Sequence, residues 1–304
     1  METTLLKLPE QEYLLSGNRT CAGCGLSIAL RYVLKALEGN AILVVPASCL
    51  TVLGGMYPVS SVRAPWLNVA FPATAAAASG VSAGLKVLGK TGTTVVGFAG
   101  DGGTLDIGIQ GLSGAAERNA DILYICYDNE AYMNTGTQRS SATPLGVKTA
   151  TTPILGKQQH SKDMVRIMEA HGVGYIATAS PSYPADLYDK VRTAKERSGT
   201  RYIHITAPCP PGWIYPTTDT VKIGRLAVET GAVVLFEIED GVFRLTGKSR
   251  SMARRGKRLP METYVRAQRR FDGADDEGIR ELQRWVDERW DTYLRRHPSL
   301  TQVS

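Results

Sequence analysis

The stretch Thr93-Thr-Val-Val-Gly-Phe-Ala-Gly-Asp-Gly102 joins an unbroken apolar run to a Gly-Asp-Gly turn. A short apolar run of this kind is typical of a strand that is buried on both faces of a parallel sheet. The run Ile122-Leu-Tyr-Ile-Cys-Tyr127 repeats the pattern after residues 104–118, whose spacing predicts a helix. Two buried strands joined by a helix predict an α/β fold, with a mostly parallel sheet and helices on both faces.

The same alternation extends in both directions along the chain. Apolar runs predict further strands at residues 41–45 and 202–206, and helical periodicity predicts helices at 26–37, 73–84, 162–171 and 184–197. The sequence contains neither an internal repeat nor a linker long enough to separate two independent domains. We therefore predict one α/β domain followed by a C-terminal extension.

The character of the sequence changes after residue 232. Residues 233–246 predict a β-hairpin with an Asp240-Gly241 turn. Six basic residues then fall within 247–258, a segment predicted to be a loop.

A polar helix is predicted from Asp275 to Arg296, with an apolar stripe formed by Ile279, Leu282, Val286 and Trp290. We divide the chain into a ligand-binding domain, 1–246, and a basic extension, 247–304. The extension is expected to contact another subunit through its arginines and to bury its apolar stripe there. The alternative is a solvated tail that folds on its own domain.

The composition excludes several classes of protein. Hydrophobic residues make up 43% of the 304 residues and charged residues 21%, which is ordinary globular usage. The net charge of +6 invites a nucleic-acid interpretation, but no recognition module accompanies it, so nucleic acid is not expected as a partner. No apolar run approaches the ~18 residues of a membrane span. The first twenty residues lack a signal-peptide design, and a cytoplasmic location is expected.

The Gly100-Asp101-Gly102 turn and Asn129 each follow a predicted buried strand. The carboxyl ends of neighbouring parallel strands are where ligands bind in such folds. Asp101, Asn129 and the backbone carbonyl of Ala131 could supply the oxygen ligands that Mg²⁺ prefers, while the glycines admit phosphate oxygens to backbone N–H groups. A Gly-rich turn with an Asx cap is the simpler interpretation of Gly-Asp-Gly alone. The added Asn129 favours a thiamine diphosphate site.

Four of the five cysteines fall in predicted loops: Cys21, Cys24, Cys49 and Cys209. The fifth, Cys126, lies in an apolar strand and is predicted to be part of the core. The Cys21-Ala-Gly-Cys24-Gly25 spacing lets two thiolates share one metal centre. Gly23 and Gly25 would let backbone N–H groups approach the sulfurs. Spacing alone leaves a structural zinc site, an iron–sulfur cluster and a redox Cys-x-x-Cys pair open.

Four motifs together resemble one family. They are Cys21-Ala-Gly-Cys-Gly25, Gly100-Asp-Gly102, Tyr127-Asp-Asn-Glu-Ala-Tyr-Met-Asn-Thr-Gly136 and Ala207-Pro-Cys-Pro210. In this order they resemble the β subunit of 2-oxoacid:ferredoxin oxidoreductases, above all of pyruvate:ferredoxin oxidoreductase, over residues 13–246. The resemblance implies a thiamine-diphosphate-binding fold.

The resemblance also implies the roles of the candidate residues. Cys21, Cys24, Cys49 and Cys209 would hold a four-iron, four-sulfur (4Fe-4S) cluster. Asp101, Asn129 and Ala131 would hold Mg²⁺. Asn134 would act as a catalytic residue facing the thiazolium and substrate, in a cofactor site completed by Gly100, Gly102 and Cys49.

The implied reaction is the oxidative decarboxylation of a 2-oxoacid with coenzyme A, giving an acyl-CoA, CO₂ and a reduced ferredoxin or other acceptor. Pyruvate is the default substrate, but oxalate, 2-oxoglutarate, branched-chain and aryl-glyoxylate relatives share the motifs. Other subunits are expected to supply the pyrimidine half of the thiamine site and ferredoxin-like clusters. The competing interpretations are a non-redox thiamine decarboxylase or carboligase, which would not need Cys49 and Cys209, and a zinc-bound scaffold with a nucleotide site.

Overall fold

The computed structural model describes residues 3–297, and its centre is a sheet of buried strands. Within these residues the sheet has eight strands in the order β2-β1-β3-β4-β6-β5-β7-β8. The strands are β1 (Ala41–Pro46), β2 (Trp66–Val69), β3 (Thr94–Gly100), β4 (Ile122–Asp128), β5 (Tyr175–Ala179), β6 (Thr200–Thr206), β7 (Phe236–Glu239) and β8 (Val242–Leu245). The first six are mutually parallel, and β7 and β8 add an antiparallel edge. The predicted α/β class and the hairpin are confirmed.

Helices cover both faces of the sheet. They are α1 (Gly25–Ala36), α2 (Cys49–Gly54), α3 (Thr74–Val87), α4 (Ile109–Glu117), α5 (Met164–Ala170), α6 (Pro184–Lys195), α7 (Pro210–Trp213), α8 (Thr220–Thr230), α9 (Gly247–Arg255), α10 (Met261–Val265) and α11 (Asp276–Arg296). Helices α1 and α6 share one apolar core with the sheet, and α3, α4 and α5 share the core on the other face. No helix among residues 3–297 is long and apolar enough to cross a membrane.

Strand β4 shows why the central strands are apolar throughout. Its residues are all buried, and alternate side chains enter the two cores, so that Leu123 and Ile125 face one and Tyr124 and Cys126 face the other. Each such side chain contributes about 1.5–3 kcal/mol when it is fully buried. The predicted core position of Cys126 is confirmed, because its side chain is completely inaccessible.

The segment after β3 was predicted to form one continuous helix over residues 104–118, and the structure divides it into two elements. Residues Gly102–Asp106 form a π-helical turn, and the regular helix α4 begins only at Ile109. Thr104 contributes to this wider turn by donating a hydrogen bond to the carbonyl of Gly100 at 2.7 Å. The break sets Asp101 directly at the carboxyl end of β3.

The basic segment 247–258 was predicted to be a loop, and this prediction is wrong for most of its length. Residues Gly247–Arg255 form helix α9, whose inner side carries Ser249 and Met252, both buried. Ser249 accepts a hydrogen bond from the backbone N–H of Leu235 at 2.8 Å. Long basic side chains favour helix, and here they extend from a helix that has only a narrow inner face.

Helix α11 lies where it was predicted, but its apolar stripe does not face a neighbouring subunit. Ile279, Leu282, Val286 and Trp290 are buried in the cores of this same chain. A stripe that is already covered is unavailable to a partner, so that part of the extension's expected role is wrong. The last seven residues of the extension lie outside the described residues.

Candidate functional site

The candidate site forms where β1, β3 and β4 end at their carboxyl edge. Strands β3 and β4 are paired in register, with Gly100 opposite Tyr127. Asp101 follows the first of these strands, and Asn129 stands one residue beyond the second. Parallel pairing therefore places the two side chains predicted to bind Mg²⁺ next to each other, although 28 positions separate them in the sequence.

Three oxygen atoms converge at this edge. The side-chain oxygen of Asn129 faces Oδ1 of Asp101 and the carbonyl oxygen of Ala131, and both of these are acceptors. With the amide rotated, its nitrogen would donate to them at 3.0 and 2.9 Å. Oxygens that converge in this way suit a divalent cation, which takes carboxylate, amide and backbone oxygens as ligands. The residues present therefore fit Mg²⁺.

Burial makes the carboxylate of Asp101 the key group of this cluster. Its side chain is 1% exposed. Burial, reinforced by the nearby charge of Asp128, raises the pKa of Asp101 well above its usual range. A bound cation would restore the ionised form by supplying the opposite charge. Ser140 donates a hydrogen bond to Oδ2 and orients the group.

The glycines of the turn make room for an aromatic wall. A Cβ atom at Gly102 would lie 2.4 Å from the ring of Tyr132. That ring packs edge-on against Phe71 with centroids 5.9 Å apart, and its hydroxyl donates to Oδ2 of Asp106 at 2.8 Å. Any larger residue at 102 would displace Tyr132 from the turn.

A cavity of about 260 Å³ opens over these residues. All seven residues predicted to bind the cofactor line it, and they are Gly100, Asp101, Gly102, Asn129, Ala131, Asn134 and Cys49. Asn134 stands on an exposed stretch of the lining, beside the apolar side chains of Tyr132 and Met133. The volume lies near the lower end of the range of about 300–1,000 Å³ that small-molecule sites occupy.

The four loop cysteines come from three segments that meet beside this cavity. Cys24 is the residue before α1, Cys49 begins α2, and Cys209 is the residue before α7. The backbone N–H of Gly25 donates to the carbonyl of Pro208 at 3.0 Å, which ties the Cys-x-x-Cys turn to the Cys209 loop. Backbone N–H groups do approach the sulfurs, but they belong to Leu26 and Ser27 at Cys24 and to Gly212 at Cys209. A Cβ at Gly25 would lie 2.6 Å from the same carbonyl, so only glycine permits the contact.

Electrostatics shows that these thiols are neighbours. Burial raises the pKa of Cys49 to about 12, and the proximity of Cys209, Cys24 and Cys21 adds to the shift. Burial likewise raises the pKa of Cys209 to about 12, with Cys24 and Cys21 contributing. Thiolates in this position need positive charge beside them, and metal ions supply it.

The cysteines do not form a compact site for a single ion. Among residues 3–297, no group of three or more His, Cys, Asp or Glu side chains could hold a metal ion as it stands. Four thiols from three neighbouring segments are ligands that structural zinc and an iron–sulfur cluster both accept.

Trp213 joins the two clusters of residues. It closes the short helix α7, and its backbone N–H donates to the carbonyl of Cys209 at 2.8 Å. Its indole Nε1 donates to the carbonyl of Asn129, also at 2.8 Å. The sequence analysis missed Trp213 and Ser140, because each contacts residues distant in sequence and no short motif includes them.

No histidine was predicted to have a role, and two of them have well-defined contacts, His160 at the surface and His204 closer to the core. His160 stacks on Trp285 with ring centroids 5.0 Å apart. His204 lies behind the site, where its Nε2 is 2.9 Å from Oδ2 of Asp128 and its Nδ1 is 2.8 Å from the hydroxyl of Tyr202. Asp128 in turn accepts a hydrogen bond from the backbone N–H of Glu130 at 2.8 Å, which shapes the loop that carries Asn129.

The chain is similar to known proteins over almost its whole length. Residues 48–205 match the family model of the thiamine pyrophosphate enzyme C-terminal TPP binding domain. The pyruvate synthase subunit PorB of Methanothermobacter thermautotrophicus is 50% identical over 286 residues, covering 93% of this chain and 97% of that protein. The ketoisovalerate oxidoreductase subunit VorB of Pyrococcus abyssi is 45% identical over 296 residues, covering 94% of each.

A solved structure has a related fold. It is a 2-oxoglutarate:ferredoxin oxidoreductase from Magnetococcus marinus, determined with 2-oxoglutarate, coenzyme A and succinyl-CoA bound. The TM-score is 0.56 at 20% sequence identity, and the match covers 72% of this chain and 82% of that one. At this identity the likeness supports the fold alone.

Proposed function

The chain belongs to the family of thiamine-diphosphate-dependent 2-oxoacid:ferredoxin oxidoreductases as a subunit of the PorB and VorB type, and from this we propose what its site does. We infer that it holds the diphosphate half of thiamine diphosphate, together with Mg²⁺, beside a 4Fe-4S cluster. The complex would convert a 2-oxoacid and coenzyme A to an acyl-CoA and CO₂, with reduction of ferredoxin or another acceptor. The observation that carries this proposal is that Cys49 belongs both to the cofactor cavity and to the group of four thiols.

Thiamine diphosphate, when bound, supplies the carbon nucleophile and the electron sink that decarboxylation of a 2-oxoacid requires. The residues of this chain supply binding and position. Asp101, the amide of Asn129 and the carbonyl of Ala131 would hold Mg²⁺, and backbone N–H groups of the Gly100–Gly102 turn would meet the diphosphate oxygens. The rings of Tyr127 and Tyr132 occupy the space beside the two glycines.

The remaining roles follow from position in the cavity. Asn134, on its exposed part, would face the thiazolium and the substrate. Phe71, Tyr132 and Met133 give the cavity an apolar wall that excludes water from the reacting groups. Cys21, Cys24, Cys49 and Cys209 would ligate the cluster, so that the electron acceptor lies next to the site of decarboxylation.

Pyruvate is the proposed substrate, and a branched-chain 2-oxoacid is the second candidate. Pyruvate synthase subunits are 50%, 49% and 46% identical to the chain, and ketoisovalerate oxidoreductase subunits are 45% and 44% identical. The pyruvate synthase subunit of Pyrococcus furiosus is only 39% identical. Overall identity therefore does not rank the two substrates, and a measured preference has to decide between them.

Other subunits are part of the proposal. The cavity is small, and it offers no carboxylate beyond Asp101 among its lining residues to activate an aminopyrimidine. After the four loop cysteines only Cys126 is left, and it is buried in the core. The pyrimidine half of the thiamine site and the outward ferredoxin-like clusters would therefore come from partner chains.

The test is a spectrum and an assay on the complex purified anaerobically with this chain. We expect a broad visible iron–sulfur absorption band and reduction of ferredoxin that requires a 2-oxoacid and coenzyme A together. The ratio of kcat/KM for pyruvate to that for 2-oxoisovalerate identifies the substrate. A colourless complex that releases CO₂ without any acceptor would instead support a non-redox decarboxylase or carboligase.

A further inference from the structure

The loop that carries two of the three proposed Mg²⁺ ligands, Asn129 and Ala131, has an unusual backbone. Glu130 lies between Asn129 and Ala131 and has a φ of 67°, in the left-handed region that favours glycine. A residue with a side chain persists there only when its surroundings hold it in place, and such residues gather at functional sites. The side chain of Glu130 is therefore expected to have a use that outweighs the strain.

Hydrogen bonds hold the backbone of Glu130 on both sides. Its N–H donates to Oδ1 of Asp128 at 2.8 Å, and its carbonyl accepts from the hydroxyl of Thr143 at 2.6 Å. These contacts would serve glycine equally well. They explain how the turn is held and leave the presence of a carboxylate unexplained.

The carboxylate of Glu130 forms a buried ion pair with Arg270 of the C-terminal extension. Arg270 lies in the 3₁₀ turn Arg269–Phe271 between α10 and α11 and is 2% exposed. A further hydrogen bond runs from its Nη2 to the hydroxyl of Tyr264 at 3.1 Å. The extension therefore reaches the interior directly behind residues 129–131, which we call the metal loop.

Arg270 also contacts the same loop by a second route. Its guanidinium lies 3.9 Å from the centroid of the Trp213 ring, close enough for a strong cation–π contact in a buried setting. Trp213 donates from Nε1 to the carbonyl of Asn129. One arginine thus holds Glu130 by charge and supports, through Trp213, the residue before it.

We propose that Arg270 is a positioning residue for the metal site: paired with Glu130 and stacked on Trp213, it fixes the backbone of residues 129–131 so that the Asn129 amide and the Ala131 carbonyl face Asp101. This inference rests on the proposed Mg²⁺ role of those three residues. It also explains why a glutamate, and not glycine, occupies position 130.

The test measures how tightly the purified complex binds Mn²⁺, a paramagnetic substitute for Mg²⁺, in the presence of saturating thiamine diphosphate. Free Mn²⁺ is counted by electron paramagnetic resonance, so the readout is independent of turnover. Arg270→Met should raise the Mn²⁺ dissociation constant about tenfold, since the loop loses both supports. Arg270→Lys should recover only part of this loss, because lysine keeps the charge and lacks the flat stacking surface.

Glu130→Gly separates positioning from strain. The substitution relieves the left-handed backbone and removes the ion pair, and we expect it to weaken Mn²⁺ binding although the turn itself becomes easier to form. Because Arg270→Met leaves a buried carboxylate unpaired and could fail to fold, the double variant Glu130→Gln/Arg270→Met removes both charges together. It should also bind Mn²⁺ weakly, and the single losses should not add.

Arg201 offers a matched control at the opposite edge of the sheet. Arg201 is the second residue of β6, at the end of that strand away from the metal loop. Its side chain is 3% exposed and forms an ion pair with Asp121. Arg201→Met should lower the melting temperature and leave the Mn²⁺ dissociation constant unchanged. Folded Glu130→Gly and double variants that bind Mn²⁺ as tightly as the unmodified complex would overturn the role of Arg270. An unmodified complex that binds no Mn²⁺, or an Asp101→Ala complex that binds it normally, would overturn the proposed metal site itself.

Discussion

Two regions differ in how well their sequence predicts their structure. They are the carboxyl edge of β1, β3 and β4 and the C-terminal extension from residue 247 onward. At the strand edge, residue types that chemistry requires stand at fixed positions after buried strands, and the structure gathers them around one cavity. In the extension, the conspicuous feature is basic composition, and composition alone says nothing about which way a segment faces. The edge was therefore easier to interpret than the extension.

The extension is in fact part of the core. Trp290 and Tyr293 of α11 are buried, and the ring of Tyr293 stacks on Phe243 with centroids 5.6 Å apart and packs 5.1 Å from Phe236. Arg296 lies over Phe243 and pairs with Glu169 on α5. The helix and its apolar stripe were predicted, but the stripe covers this chain's own cores and not a neighbouring subunit.

Deleting residues 247–304 is the harshest test of this contrast, and we expect it to abolish folding. The deletion removes Leu282, Val286, Trp290 and Tyr293 from the two cores, each worth about 1.5–3 kcal/mol, against a total stability of about 5–15 kcal/mol. Soluble yield and thermal unfolding would measure the effect. A soluble truncated chain with normal iron and thiamine content would show that the extension is an accessory arm, as its composition first suggested.

At the strand edge, the largest effect should come from the cysteines. Cys21→Ser, Cys24→Ser, Cys49→Ser and Cys209→Ser should each lose iron, because a hydroxyl is a poor substitute for the soft thiolate that iron–sulfur clusters select. Iron and sulfide per chain are the measurement. Cys126→Ser is the matched control, since it buries a hydroxyl in the core and should cost about 1–3 kcal/mol of stability while keeping the iron. Full iron in the Cys209→Ser complex would contradict the ligand assignment.

Asp101→Ala should have a smaller, more local effect. It removes the charged member of the three-oxygen cluster, so we expect thiamine diphosphate to bind at least about tenfold more weakly, or about 1.4 kcal/mol, at fixed Mg²⁺. Asp101→Asn keeps the shape and the contact with Ser140 and removes only the charge. Equal losses in both variants would assign the effect to charge, and unchanged cofactor content after dialysis of either would count against a metal ligand at this position.

Sequence reasoning located six of the eight described strands and the motif residues because both depend on local signals, but it missed β2 and β5. Apolar runs mark buried strands, and the Gly-Asp-Gly turn and Asn129 follow them directly. Ser140, Trp213 and Arg270 carried no such signal, since each contacts its partner across a long span of chain and its role depends on how loops cross. Residues 247–258 were predicted to be a loop, so α9 was missed as a helix, and α11 was predicted without its packing partner. What a helix packs against is a tertiary property that its own pattern does not specify.

The exposed basic residues at the end of α9 and two positions beyond it are where the expected subunit contact can still be tested, and they should give the smallest effect. Arg254, Arg255 and Lys257 are exposed, in contrast to Met252 on the inner side of the helix. Replacing the three by serine should change the stability of the chain by no more than about 0.5 kcal/mol, because they are surface positions. If they meet acidic groups of a partner subunit, the variant should co-purify less completely at low salt, and the difference should vanish at high salt, where exposed charges are screened. Identical co-purification at every salt concentration would remove the last reason to assign the extension a role outside its own chain.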